Sequence, residues 1–294
     1  MVGAAQGPGG PELMTRYLVT GARGMLGRDL LAALDGRDVT AATRAELDIT
    51  DAAKVRDLVE GHDVVLNAAA WTDVDGAEAD ERGATAVNGT AVASLAAACA
   101  ATGARLVHVS TDYVFAGDAT EPYAEDAPTA PINAYGRSKL AGERAVLDAL
   151  PDTGYVVRTA WLYGAHGKNF VRTMLRLAAE REFVEVVDDQ VGQPTWSRDL
   201  AERLVALADG GGPPGIYHGT ASGRTSWHGL AAAVFEEAGH DPARVRPTTS
   251  AAFVRPAARP AFSVLGHARW AAAGLAPMRP WRDMLHDMVP GVAR

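Results

Sequence analysis

Short apolar runs alternate with amphipathic or alanine-rich stretches through the first half of the chain. Arg16–Thr20, Asp38–Thr43, Asp63–Asn67, Leu106–Ser110 and Gly154–Thr159 are brief runs rich in β-branched or small apolar residues, bounded by Gly, Asp and Asn. That length and those boundaries read as buried strands. Between them the spacing predicts helices over Arg28–Leu34, after Thr50 or Asp51 as a natural N-cap, over Ala84–Ala101 with Asn88 inside, and from Tyr135 to about Leu150. Strand and helix alternating from residue 16 to residue 160 predict an α/β fold, a doubly wound parallel sheet of Rossmann-like form with helices on both faces. Beyond residue 160 the pattern is less regular. It predicts helices over Phe170–Arg181 and Ser226–Ala238, a further helix capped by Ser197 or Asp199, and short strands over Phe183–Val187 and Ile216–His218. Prolines 247, 256, 260, 277 and 280 then break the remainder. The expected organisation is a Gly- and Pro-rich disordered leader over 1–13, a first domain over 14–160, and a smaller mixed α/β part over 161–294 with some elements returning to the first domain. Met14 is an alternative start, because the first strand follows it directly.

Composition narrows the class without choosing a function. The chain has 294 residues, 48% hydrophobic and 22% charged, as an ordinary globular protein does. A formal net charge of −8 argues against general binding to nucleic acid or to an anionic membrane, while leaving room for a local basic pocket. A single cysteine, Cys99, excludes an intrachain disulfide and suits the reducing cytoplasm. In its alanine-rich helix it reads as a small core residue. No apolar run reads as long enough to span a bilayer, and the leader lacks the basic-then-apolar order of a signal peptide.

The first strand runs straight into Gly21-Ala22-Arg23-Gly24-Met25-Leu26-Gly27 and then a helix. Strand, glycine turn and helix at the head of a βαβ unit let the backbone approach a pyrophosphate, which sits on the positive end of the helix. The spacing is GxxGxxG rather than GxGxxG. Where the second strand ends, about 20 residues on, NAD sites usually carry an acid for the ribose hydroxyls. Here Thr43 and Arg44 stand in that place. An arginine pairs with a 2′-phosphate and cannot accept from a hydroxyl, and Arg23 can join it. This predicts NADPH, with NADH as the alternative, and makes residues 14–160 an NADP-binding domain. Asp48 is placed near the adenine edge. The small residues Ala68, Ala69 and Ala70 after the third strand let a flat cofactor lie close to backbone.

Tyr135 and Lys139 stand four apart in a helical stretch and so share a face. A free phenol has a pKa of about 10, and a nearby ammonium is expected to lower it. Such a pair can give a proton to a carbonyl under reduction. Ser110 and Thr111 end a strand, where a hydroxyl can reach the same oxygen; the bare YxxxK spacing also describes an exposed helix pair.

Together these motifs resemble the extended short-chain dehydrogenase/reductases. Trp71-Thr-Asp-Val-Asp75-Gly-Ala-Glu78, Ser110-Thr-Asp-Tyr-Val-Phe115, Arg158-Thr-Ala-Trp161-Leu-Tyr-Gly164, Asn169-Phe170, Asp189-Gln190-x-Gly192-x-Pro194-Thr195 and Arg259-Pro260 resemble the dTDP-4-dehydrorhamnose reductase family within them, over about residues 15–290. The resemblance implies reduction of the 4-keto group of dTDP-4-dehydro-6-deoxy-L-mannose by NADPH to give dTDP-L-rhamnose. It implies Tyr135 as proton donor, Lys139 on the nicotinamide ribose, and Thr111 on the reacting oxygen. It implies Gly21, Gly24, Met25, Leu26 and Gly27 around the pyrophosphate, Asp48 and Ile49 facing adenine, and Ala69, Ala70 and Trp71 against the cofactor. Asp112 and Trp161 would contact the sugar; Arg259, chosen on charge, would meet the nucleotide phosphates. Mg²⁺ between subunits is allowed by the resemblance but has no assigned place, with Glu180 and Glu185 merely available, and the expected state is monomer or homodimer. The alternatives are a reductase of a related dTDP-keto-deoxysugar in antibiotic biosynthesis, an epimerase of the same superfamily, and a non-catalytic regulatory binding protein on the same fold.

Overall fold

The structure, a computed structural model, describes residues 14–292; the leader expected over 1–13 lies outside the described residues. Six strands form one parallel sheet: β1 (Arg16–Thr20), β2 (Asp38–Ala42), β3 (Val64–Asn67), β4 (Arg105–Thr111), β5 (Gly154–Thr159) and an edge strand, Gly215–His218. Their spatial order is edge strand, β5, β4, β3, β1, β2. The chain therefore reverses direction across the sheet between β1 and β3, and ligands of such sheets bind at that switch point, beyond the strands' C-terminal ends.

Alternation along each strand feeds two separate cores. Val19, Leu66, Val107 and Val157 point to one face, against Leu26, Leu30 and Leu34 of helix Met25–Ala33 and Leu200 and Leu204 of helix Ser197–Ala208. Leu18, Val65, Leu106 and Val156 point to the other, against Val55, Val92, Leu95, Cys99 and Val146. A sheet apolar on both faces demands helices on both faces. Cys99 is fully buried there, and burial pushes its thiol up to about 12.

The helix of Cys99 differs from expectation. It runs over Glu81–Thr102 and is long and apolar enough to cross a bilayer by length and composition, which the sequence reading did not anticipate. Half of it is buried inside the protein, which accounts for its apolar character. It also contains a π-helical turn, Ala86–Thr90, around Asn88. Helix Met25–Ala33 begins three residues earlier than its apolar pattern suggests, directly at the glycine turn. Two further helices were not read from the sequence: Val74–Ala79, which is short and mostly polar or small, and Trp281–Val292, whose apolar face of Trp281, Met284, Leu285, Met288 and Val289 was passed over.

Beyond β5 the chain builds a smaller layer. Val184–Val187 pairs in parallel with Val245–Thr248, flanked by helices Phe170–Glu180 and Trp227–Glu237. The edge strand Gly215–His218 lies beside β5 in the large sheet.

Candidate active site

The glycine turn is built by close approach. Gly21 takes a left-handed φ of +68°. A Cβ on it would stand 2.7 Å from Ala69 N and 2.8 Å from the Ala68 carbonyl carbon. A Cβ on Gly27 would stand 2.2 Å from Gly21 O, so the helix can press onto the turn only as glycine. Gly24 N donates to Gly21 O at 2.8 Å, and Gly24 caps the helix with no side-chain hydrogen bond. The first helical N–H groups of this nine-residue helix are therefore open to a ligand, next to the backbone of Ala68–Ala70. That arrangement fits a dinucleotide pyrophosphate.

The other cofactor candidates fall into place unevenly. Met25 is half-buried, whereas Leu26 and Ile49 turn their side chains into the two cores and leave only backbone to a ligand. Asp48 is exposed and accepts from Thr50 N and Thr50 Oγ1 at 3.0 and 2.7 Å. Arg23 and Arg44 are both exposed. Between β2 and Asp48 lies a carboxylate that sequence reasoning passed over. Glu46 accepts from Thr43 N at 3.0 Å and from the Thr43 hydroxyl, which holds its pKa down, with Arg23 adding to the effect. Trp71 is tied by its backbone to Asn88, whose Oδ1 accepts from Trp71 N at 2.9 Å and whose Nδ2 donates to Trp71 O at 3.0 Å.

Thr111, Tyr135 and Lys139 converge. Thr111 is the last residue of β4, 5% exposed; its hydroxyl donates to Asp112 Oδ1 at 3.0 Å and accepts from Tyr113 N at 3.2 Å. Asn133 caps the helix Ala134–Ala149, accepting from Gly136 N at 2.8 Å. A Cβ on Gly136 would strike Tyr113 O at 2.2 Å, so the helix lies directly on the turn after β4. This sets the Tyr135 ring edge-on to Tyr113, centroids 5.6 Å apart, with the Thr111 hydroxyl facing the phenol.

The electrostatics depart from the simple expectation. Burial pushes the Tyr135 phenol up to about 12; the Thr111 hydrogen bond lowers it and Asp112 raises it further. The lowering expected from Lys139 is not what sets it, because the lysine Nζ donates at 2.6 Å to Val109 O and lies 3.4 Å from His108 Nε2. Burial also brings Lys139 down to about 8, against the opposing pull of Glu143 one turn on. Asp112 is 2% exposed, its Oδ2 finds no partner among the described residues, and burial raises its carboxyl to about 6 against hydrogen bonds from Ser263 and Thr111. An orphaned buried carboxylate oxygen beside the proton donor is suited to a substrate hydroxyl.

A cleft of about 510 Å³ adjoins this group, lined by Tyr113, Phe170, Met174, Trp227, Phe253 and Arg259 among others. Tyr113 links the cleft to Tyr135. Trp161 takes φ +47° and stacks on Trp227 at 3.6 Å, its ring occupying the space a Cβ on Gly192 would need. Arg259 is fastened rather than loose: Nη2 meets Asp75 Oδ1 at 3.0 Å and Nη1 donates to Ala257 O at 2.9 Å. The same Asp75 carboxylate accepts from Ala257 N at 3.2 Å and pairs with Arg255 at 3.3 Å, so it staples residues 255–259 along the cleft wall.

Behind the trio lies a buried ion pair. Glu143 accepts from Arg158 Nε and Nη2 at 2.9 and 2.7 Å and from Ser110 Oγ at 2.5 Å. Sequence reasoning missed this pair, and also Asn67 and His108. The available signal was a polar residue inside an otherwise apolar strand. Among the described residues of this chain no group of three or more His, Cys, Asp or Glu is arranged to hold a metal ion.

A family model described as "RmlD substrate binding domain" matches residues 15–293. A Streptomyces griseus dTDP-4-dehydrorhamnose reductase is 57% identical over 96% of this chain and 95% of its own. The chain belongs to the dTDP-4-dehydrorhamnose reductase family. Within and around it, a Streptomyces niveus dTDP-4-keto-6-deoxy-D-glucose reductase is 54% identical over 94% of this chain and 96% of its own. The crystal structure of a Bacillus anthracis dTDP-4-dehydrorhamnose reductase in complex with NADP is 37% identical, with a TM-score of 0.91 over 95% of this chain and 100% of that one. The epimerase reading has no support among these relatives.

Proposed function

We propose that this chain reduces the 4-keto group of dTDP-4-dehydro-6-deoxy-L-mannose with NADPH to give dTDP-L-rhamnose. The observation that carries the reading is the convergence of Thr111, Tyr135 and Lys139 at the C-terminal end of β4, beside an uncapped glycine turn and an aromatic cleft. Gly21 and Gly24 would let the turn approach the pyrophosphate, Met25 and Leu26 would offer it the first open N–H groups of the helix, and Gly27 lets the helix close on it. Arg23 and Arg44 would meet the 2′-phosphate. Asp48 and Ile49 would border adenine, and Ala68, Ala69, Ala70 and Trp71 would border the flat rings. When bound, NADPH supplies the hydride.

The residues then do ordinary proton chemistry. Tyr135, kept fully protonated by burial, gives its proton to the forming alkoxide, which is more basic than a phenolate. Thr111 turns its hydroxyl proton from Asp112 to the same oxygen and stabilises the charge there. Lys139, titrating near neutrality, stands by to restore the Tyr135 proton. Asp112 and Trp161 position the sugar, which removes much of the entropic barrier.

The test is NADPH consumption with the keto-sugar nucleotide generated in situ, beside Tyr135→Phe. Wild-type oxidation yielding dTDP-L-rhamnose, with a loss of roughly a hundredfold or more in the variant, is expected. Near-normal turnover by Tyr135→Phe would remove that residue from its role. The similarity to the Streptomyces niveus enzyme favours a second reading, a related dTDP-4-keto-deoxysugar as substrate. NADPH binding without oxidation of the rhamnose precursor, but with oxidation of that sugar, would select it.

A further inference from the structure

A chain of buried polar groups runs beneath the site and ends on the lysine. Thr20, Asn67, His108 and Lys139 are between 0% and 2% exposed. Thr20 Oγ1 donates to Asn67 Oδ1 at 2.6 Å. Asn67 Oδ1 also accepts from the backbone N–H of Ala69 at 3.3 Å. A backbone N–H can only donate, so the orientation of the Asn67 amide is forced: its oxygen faces Ala69 and its nitrogen faces His108. Asn67 Nδ2 then donates to His108 Nδ1 at 2.9 Å. The imidazole must present a lone pair at Nδ1 and is neutral, so its proton sits on Nε2. Burial, with Lys139 adding to it, keeps the imidazole far below its usual pKa. Nε2 lies 3.4 Å from Lys139 Nζ, and a Cβ on Gly142 would stand 3.3 Å from it, so this position is reserved for the ring.

An ammonium has three protons and no lone pair; it cannot accept from an N–H group. A neutral amine can. We infer that His108 is a positioning residue for Lys139, using its Nε2–H to hold the neutral amine that is left once the lysine has given up its proton. The inference rests on the reading of Lys139 as the group that reprotonates Tyr135. The step balances when one proton passes from the lysine ammonium to the Tyr135 phenolate, the freed lone pair on Nζ accepts the His108 Nε2–H bond, and a proton from bulk water then returns to Nζ before the next turnover. Nζ remains a donor to Val109 O throughout. Glu143 on the same helix works in the other direction and favours the ammonium. Tyr135 stands one turn earlier on the same helix, Asp112 follows the end of β4, and Arg158 on β5 is neutralised by Glu143.

The chain makes this directly measurable, because it contains three lysines, Lys54, Lys139 and Lys168, of which Lys54 and Lys168 are exposed. Carbon-13 labelling at lysine Cε in the cofactor-free protein gives one buried resonance to titrate, with no turnover required. In His108→Phe the neutral amine loses its donor, and the Lys139 titration should move upward by about half to one pH unit, the size of one ordinary hydrogen bond. In His108→Gln the amide keeps the same polarity, oxygen toward Asn67 and N–H toward Lys139, and the titration should return toward wild type. The pH profile of kcat should follow the same order, with KM for the sugar nucleotide unchanged. An unmoved Lys139 titration in folded His108→Phe, or equal shifts in both variants, would overturn the inference. A measurement on the unaltered protein guards against a variant that fails to fold: nitrogen-15 shifts of His108 should show an unprotonated Nδ1 and a protonated Nε2 from pH 6 to 9. A ring protonated at Nδ1 would refute the assignment. Loss of activity in Tyr135→Phe or its absence does not touch either readout, so the two readings fail separately.

Discussion

The ion pair of Glu143 and Arg158 should dominate the stability of the site's foundation. Both side chains are at most 2% exposed, and Glu143 takes two hydrogen bonds from Arg158 and one from Ser110. Converting Glu143 to Gln keeps the shape and removes the charge. Arg158 is then left buried without a counter-charge, facing one amide oxygen in place of two carboxylate oxygens, with the Glu125 carbonyl at 3.2 Å and the face of Phe115 4.9 Å away. Breaking one side of a buried pair costs about 3–5 kcal/mol. At about 2–3 °C per kcal/mol for a chain of this size, Tm should fall by roughly 6–15 °C. Scanning calorimetry or denaturant titration reads this directly. Replacing both partners by apolar residues, Glu143→Leu with Arg158→Met, removes the uncompensated charge and should recover most of the loss. The reasoning would be refuted by a Glu143→Gln variant within about 1 kcal/mol of wild type. A double variant losing the full sum of the two single changes would refute it equally.

Other consequences are as direct. Asp112→Asn should stabilise the protein at pH 8 and do so less at pH 4. The folded carboxyl titrates at about 6, above its ordinary 3.8, so the fold gains from its proton at low pH and loses that gain as pH rises through 6. The difference between the extremes should approach about 3 kcal/mol, and an identical offset at both pH values would contradict it. Gly21→Ala must place a methyl group against Ala68–Ala69 backbone at φ +68°, and fluorescence titration should show NADPH affinity falling at least roughly tenfold. Cys99 should resist a thiol reagent in the native protein and react once it is denatured, since the thiol is buried and pushed up to about 12.

What could be read in the sequence was what local pattern encodes. β1 and β5 have the bounds their runs suggest, because strands buried on both faces are largely apolar, with Arg158 admitted into β5 only as the partner of Glu143. The glycine turn was legible because its close approach to Ala68 and Ala69 excludes any side chain at Gly21. Tyr135 and Lys139 were legible as a pair through helical periodicity alone. The direction of the Tyr135 pKa was not, since burial sets it and a carbonyl of β4 captures the lysine amine expected to lower it. Asn67 and His108 stand 41 positions apart and meet only because β3 and β4 are neighbours. Asp75 and Arg259 are farther apart still, joined by a loop whose path no local propensity sets. The long apolar helix shows the reverse: its length and composition describe a membrane span that the sequence reading did not name, while burial inside the protein explains the same residues.

The edge strand at Gly215–His218 has a consequence for how the protein comes into being. Every residue of β5 is buried, and its outer edge is covered by a strand translated some 55 residues later. Until residue 218 has left the ribosome, the nascent sheet carries a bare, apolar, hydrogen-bonding edge, the kind of surface that invites mispairing. A gene fragment ending near residue 160 would carry that edge permanently. The two halves of this sequence are therefore bound to one another in time, and a split version should regain solubility only when both fragments are made together.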